Sequence, residues 1–134
     1  MAVQLSTAVR NAMLDQIEST ISTSPIMKIR TSSVPANCAA ADAGTVLATI
    51  ALPSDWLAAA SGGSKAIAGS PWEDTSADAS GTAAHFRVYD SGGSTCHIQG
   101  TVGVGSGDLQ VDSTAFTAGQ DFKVTAFTLT AGNA

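Results

Sequence analysis

The sequence predicts a mainly β protein: an antiparallel β-sandwich or jelly-roll-like domain with an N-terminal α-helix. Three observations carry this expectation. Residues 85–102 (HFRVYDSGGSTCHIQGTV) alternate with period two on both sides of a glycine-containing break, as a hairpin with one buried face does. Further short runs rich in β-branched residues recur between Gly and Pro punctuation, giving seven or eight strands in all. Only the first two dozen residues carry a helical period instead. We therefore divide the chain into a helical segment over 1–24 and a β-sandwich over 25–134, both within a single domain.

Taken in order, Ser6 is a good N-cap, because its hydroxyl can accept from a free N–H of the first turn. Val9, Met13, Ile17 and Ile21 then recur every four residues with Leu14 beside them, which predicts an apolar stripe on a helix of about 15 residues. Arg10, Asn11, Asp15, Gln16, Glu18 and Ser19 fall on the other face. Pro25 sets the end, since the residue before a proline is driven out of helical geometry. The stripe is expected to lie on the sheet of its own subunit, with a neighbouring subunit as the alternative.

Strands are expected at 26–31 and 45–52, separated by the loop 32–44 and closed by Pro53. Residues 54–60 (SDWLAAA) read as one or two helical turns with Trp56 in the core. The segment 61–84 is the least determined, with short strands expected at 65–68 and 71–73. The hairpin follows, its loop formed by Asp90-Ser-Gly-Gly-Ser94, with Phe86 and Val88 inward and His85, Arg87 and Tyr89 on the opposite face. Gly103, Gly105 and Gly107 read as a hairpin turn. Leu109–Asp112 is a strand, and 113–120 a turn region with Phe116 buried. The last strand spans 121–130 and slips phase near Ala126-Phe127, which predicts a bulge. Residues 131–134 form a small polar tail.

Composition narrows the function. At 134 residues with 44% apolar content the chain can enclose one real core. Charged residues make up 13%, about half the usual share of roughly 25%. Ser, Thr, Gly and Ala take their place, giving a surface that loses little on desolvation. Six basic residues, scattered singly, against eleven acidic ones argue against a nucleic-acid groove, which needs clustered cations. No apolar run reaches the roughly 20 residues of a membrane span, and no secretory signal is expected at the start.

No catalytic pattern emerges. Cys96 and His97 are adjacent, so on a strand they point to opposite faces, and a zinc site is not expected. His85 is expected on a solvent face or in a contact. Ser, His and Asp occur without a Gly-x-Ser-x-Gly elbow. The acidic run 73–78 lacks the glycine and final Glu of a calcium loop. No cofactor is expected. Cys38 and Cys96 are expected as two separate thiols in a reducing compartment, with a disulfide between them as the alternative. The aromatic residues read as core fillers, except Trp72 and Tyr89, which belong to types favoured at interfaces.

The segments LSTAVRNAMLDQIE (5–18), MKIRTSSVPANCAAADAGTVLATIALPSDW (27–56), AHFRVYDSGGSTCHIQGTV (84–102) and FTLTAGN (127–133) together resemble small proteins encoded in the structural gene modules of tailed bacteriophages and prophages. The resemblance implies a virion protein assembled in the host cytoplasm and no enzyme. Its nearest implication is a capsid decoration (cement) protein that self-associates into a homo-oligomer and bridges subunits of the phage major capsid protein, binding neither nucleic acid nor membrane. A head-tail connector, tail or fibre-base protein is the alternative, and a carbohydrate-binding domain a more distant one. On this reading the interface residues are Val9, Met13, Ile17, Ile21, Trp72 and Tyr89. The N-terminal segment and the 61–81 loop make the contacts, and the sandwich should fold without residues 1–22.

Overall fold

The computed structural model describes residues 3–69 and 71–132; the tail expected over 131–134 lies partly outside them. It is mainly β with one N-terminal helix. The helix α1 spans Thr7–Ile21. The strands are β1 (Ile26–Arg30), β2 (Val46–Ala51), β3 (Ser64–Ala66), β4 (Glu73–Asp74), β5 (Gly81–Thr82), β6 (His85–Tyr89), β7 (Cys96–Gly103), β8 (Leu109–Val111), β9 (Ala115–Phe116) and β10 (Phe122–Thr130). One sheet runs β2-β1-β6-β7-β8-β10-β3, with β4 also on β10, and β5 pairs β9 in a small ribbon.

The sheet curls until its ends meet. Strands β6 and β10 are three places apart in its order, about 14 Å in a flat sheet. Yet the rings of Phe86 and Phe127 stand edge to face with centroids 5.5 Å apart. At the far end, the Asp78 N–H donates to Leu47 O at 2.7 Å and the Thr49 N–H to Asp74 Oδ2 at 3.0 Å. The segment after β4 thus joins β2, the last strand of the sheet, to the β10 end. Met27, Ile29, Leu47, Ile50, Trp56, Trp72, Phe86, Val88 and Leu109 fill the enclosed space. The 85–89 and 96–103 hairpin, the N-cap at Ser6 (accepting from Val9 N at 3.2 Å) and buried Phe116 and Trp56 agree with expectation. The register of β10 on β8 shifts between Val124 and Ala126, a bulge close to the expected phase slip.

Two elements differ from expectation for local reasons. Residues 54–60 form no helix. Gly62 and Gly63 both take positive φ, 61° and 79°, as a two-residue hairpin turn requires, and Ser61 and Ser64 exchange both backbone hydrogen bonds across it. That turn folds β3 back along residues 57–61, so Ala58 N donates to Ala66 O and Ala68 N to Trp56 O. The Gly103–Gly107 loop is not a hairpin turn, because β7 and β8 run parallel. So short a return works only for a pairing of two residues and with backbones nearly touching. A Cβ on Gly103 would lie 2.6 Å from Ser106 O, and Gly107 holds φ at 83°. Asp108 Oδ2 closes the loop by accepting from the Thr101 N–H and hydroxyl, each at 2.9 Å.

The hairpin face expected to meet solvent is buried. His85, Arg87 and Tyr89 are each 2% exposed or less, because the loop 32–44 lies over them with its polar groups turned down. Asp42 Oδ1 accepts from Arg87 Nη1 at 2.7 Å and from the Tyr89 hydroxyl at 2.6 Å, while Oδ2 accepts from Arg30 Nη2 at 3.0 Å. The carbonyls of Asn37 and Ala40 accept from Arg87, and Gln99 joins it from β7. His85 is therefore neither on a solvent face nor in a contact. Its Nδ1 donates to Ser32 O at 2.7 Å, and its buried Nε2 has no hydrogen-bond partner among the described residues. The hydrogen bond from Tyr89, then those of Arg87 and the attraction of Arg30, hold the Asp42 carboxyl below its ordinary value of 3.8 despite burial. Burial and the bond to Asp42 push the Tyr89 phenol up.

Removing Asp42 leaves two buried guanidinium groups without their anion. Loss of one partner of a buried pair costs about 3–5 kcal/mol. The Asp42 side chain is 43% exposed, so solvent screening lowers the expected cost of Asp42→Ala to about 2 kcal/mol, measurable by urea unfolding. The sign with pH follows from the lowered pKa. Asp42 contributes stability fully above its unfolded value, and that contribution disappears as pH falls through the lower folded value. Urea midpoints compared between about pH 6 and about pH 3 should therefore drop more steeply for the wild type than for Asp42→Asn.

Candidate interaction surface

The helix α1 docks through the face that its pattern marks as polar. Spacing of four advances a helix by about 400°, or 40° past a full turn, so the stripe from Val9 to Ile21 winds about 120° around the axis. Its C-terminal end is inside: Ile21 is 4% exposed and belongs to the main core, with Ile17 packed against it. Its N-terminal end is outside: Val9 is 46% and Met13 52% exposed. Leu14 is buried, and the side chains around it make polar bonds to the segment 57–66 and the end of β10.

Those bonds form a ladder along the helix. Asn11 Oδ1 accepts from Gly63 N at 2.9 Å, Asp15 Oδ1 from Ala60 N at 3.0 Å, and Glu18 Oε1 from Leu57 N at 3.4 Å. Arg10 Nη1 donates to Ala131 O at 3.3 Å. Beneath them lies Lys65, 2% exposed, its Nζ 2.7 Å from Asp15 Oδ1 and 2.9 Å from Glu18 Oε2. Burial disfavours the ammonium charge, but the hydrogen bonds and attraction of the two carboxylates outweigh it and raise the Lys65 pKa. The hydrogen bond from Lys65, then that of Ala60 N–H, lowers the Asp15 pKa. Just past the helix, Ser22 O accepts from Trp56 Nε1 at 3.1 Å.

With its polar side engaged, α1 turns Val9 and Met13 to solvent, next to Val3 (84% exposed) and Leu5 in the preceding segment. A shallow groove of about 240 Å³ continues this surface between Met13, Gln16, Ile17 and Thr20 of the helix and His97 of β7. His97 reaches it because the pairing of β6 with β7 shifts between Val88 and Tyr89, leaving His97 as an unpaired extra residue. A wider polar cleft of about 560 Å³ opens on the other side of the helix; of its three carboxylates, Asp15 and Glu18 are taken up by Lys65 and Asp55 is not.

The structure thus divides the six residues expected at an interface. Val9 and Met13 are on the surface and Ile17 borders the groove. Ile21, Trp72 and Tyr89 are not available to a partner. Ile21 has turned into the core. Trp72, 1% exposed, donates from Nε1 to Ala68 O at 2.9 Å and packs between Trp56 and Phe127 at 6.2 and 6.0 Å. Tyr89 is covered by the 32–44 loop through Asp42. Within the 61–81 segment Lys65, Trp72 and Ala77 are buried and serve the framework. Exposed Val3, Leu5 and Val104 were not singled out from the sequence; short apolar residues in irregular segments carry no periodic signal. Among the described residues, no three His, Cys, Asp or Glu side chains converge to hold a metal.

Lys65→Met keeps the stem's volume but removes the cation from two carboxylates. Its melting temperature should fall by roughly 5 °C with the β signal retained in circular dichroism. An unchanged melting temperature would show that the ion pairs do not hold the helix. Comparison with family models, curated proteins and solved structures finds no match to the chain.

Proposed function

We propose that this chain is a virion structural protein of the tailed-bacteriophage type, a capsid decoration protein that works by surface contact in a repeating assembly. The observation that carries the reading is α1: a helix fixed by its polar side with Val9 and Met13 turned outward. A free amphipathic helix would bury such residues against its own sheet. The resemblance of four segments to phage structural-module proteins supplies the setting, and the partners it suggests are further copies of the chain and the major capsid protein.

The size of the surface fits weak, repeated contacts. A helix of 15 residues is about 22 Å long, so one face about 10 Å wide presents a few hundred square ångström. A stable pairwise interface buries about 800 Å² per partner. Contact through α1 alone is therefore weak, and useful affinity comes from many copies bound to one lattice. The low charge of the chain, 13% of residues, limits the desolvation cost of each contact.

Truncation of residues 1–22 does not test this reading, because it removes Ile21 from the core and the carboxylates from Lys65. The double variant Val9→Asp/Met13→Asp does, since both side chains are about half exposed and surface changes move stability little. It should keep its melting temperature while losing sedimentation-detected self-association and co-sedimentation with phage heads by tenfold or more. Wild-type binding by this variant would remove α1 from the contact.

A further inference from the structure

The two cysteines, distant in sequence, are brought together by the loop that buries the hairpin. Across β6 and β7, Arg87 faces Gln99 and Tyr89 faces Cys96. Arg87 and Tyr89 are two apart on one strand, so they share a face, and their cross-strand partners Gln99 and Cys96 share it too. The 32–44 loop is tied down on this face. Gln99 Nε2 donates to Pro35 O at 2.7 Å, Arg87 Nη2 to Asn37 O and Arg87 Nη1 to Ala40 O, both at 3.1 Å. Cys38 lies between the last two anchors. Its thiol lies close enough to the Cys96 thiol to raise the pKa of Cys96, and both residues are free and partly exposed.

We propose that Cys38 and Cys96 are a built disulfide site: exchange with a small-molecule disulfide links them within one chain and staples the 32–44 loop across β6 onto β7. The steps balance. The Cys38 thiolate attacks the oxidant, its S–S bond breaks, and one small thiol leaves with a proton. Cys96 then loses its proton and attacks Cys38 Sγ, which forms the protein disulfide and releases the second small thiol. Two electrons pass from the protein thiols to the oxidant. Cys38 takes the first step because Cys96 is held as a thiol. Burial, then the neighbouring Cys38 thiol, pushes its pKa up to about 12, and Sγ donates to Ile98 O at 3.5 Å. Burial of Cys96 remains after the first step and slows the second at neutral pH, so closure is faster in alkali.

The link closes a long loop of chain, which confines the unfolded ensemble strongly. It leaves the Asp42, Arg87 and Tyr89 contacts under the loop in place. The inference does not depend on a role in a virion.

Equilibration of the whole folded protein with oxidised glutathione tests it. The expected product is a monomer lacking two thiols, with a peptide map joining Cys38 to Cys96 and a melting temperature higher by roughly 10 °C. Cys38→Ser and Cys96→Ser, each unable to close the link, should show no such rise. Separate glutathione adducts, intermolecular dimers or two unreacted thiols in the wild type overturn the proposal. So does a link that forms only with a loss of stability, because the sulfurs would then not be placed for bonding in the native loop.

Discussion

The ammonium of Lys65, sealed beneath α1 and shared by Asp15 and Glu18, fixes how the rest of the molecule is presented. An isolated helix of this length is marginal in water, and its apolar residues wind around it instead of forming one stripe. Tertiary contacts decide its orientation. A buried cation needs its anions close, so the Asp15 and Glu18 side of the helix must face β3. Ile21 then enters the core, and Val9 and Met13 must face outward. The outward apolar patch is thus a consequence of burying a charge.

The same device recurs on the hairpin. Arg30 and Arg87 lie under the 32–44 loop and share the single carboxylate of Asp42. Of the six basic residues in the chain, Arg30, Lys65 and Arg87 are interior. This changes what the sparse charge means. The surface has fewer cations than the sequence suggests, and the two places where loops or helices cover the sheet are held by ionic and backbone bonds more than by apolar contact. Lys28, over the ring of Tyr89 at 5.2 Å, adds a cation at the border of the second site. Groups held this way register precise alignment, which an apolar contact of the same size does not require.

Much of the β framework was legible in the sequence because alternation and turn residues act locally. The hairpin of β6 and β7, β1, β2 and the bulge in β10 all follow from period two and its interruption. The helix limits were equally legible from Ser6 and Pro25. Which way the helix and the hairpin face was not. Periodicity puts His85, Arg87 and Tyr89 on the face away from the core and says nothing of Lys65, yet each of the four is buried by a partner more than 20 residues away. A signal existed: Asp42 is the one acidic residue in the 32–44 loop, and Asp15 and Glu18 are three apart on a helix. Sequence spacing alone does not say which cations they meet. The misread 54–60 segment has a similar cause, since the backbone donors of Leu57 and Ala60 are taken by α1 carboxylates.

Native-state hydrogen exchange of the free protein measures the docking of α1 most directly. If the helix is an integral part of the fold, its amides from Leu14 to Ile21 should exchange only through global opening, at the rates of β1 and β6. Exchange of those amides by a separate, much easier opening, with β1 and β6 still protected, would contradict the account. Val9 and Met13 would then belong to a mobile segment and not to a face held in place for a neighbour.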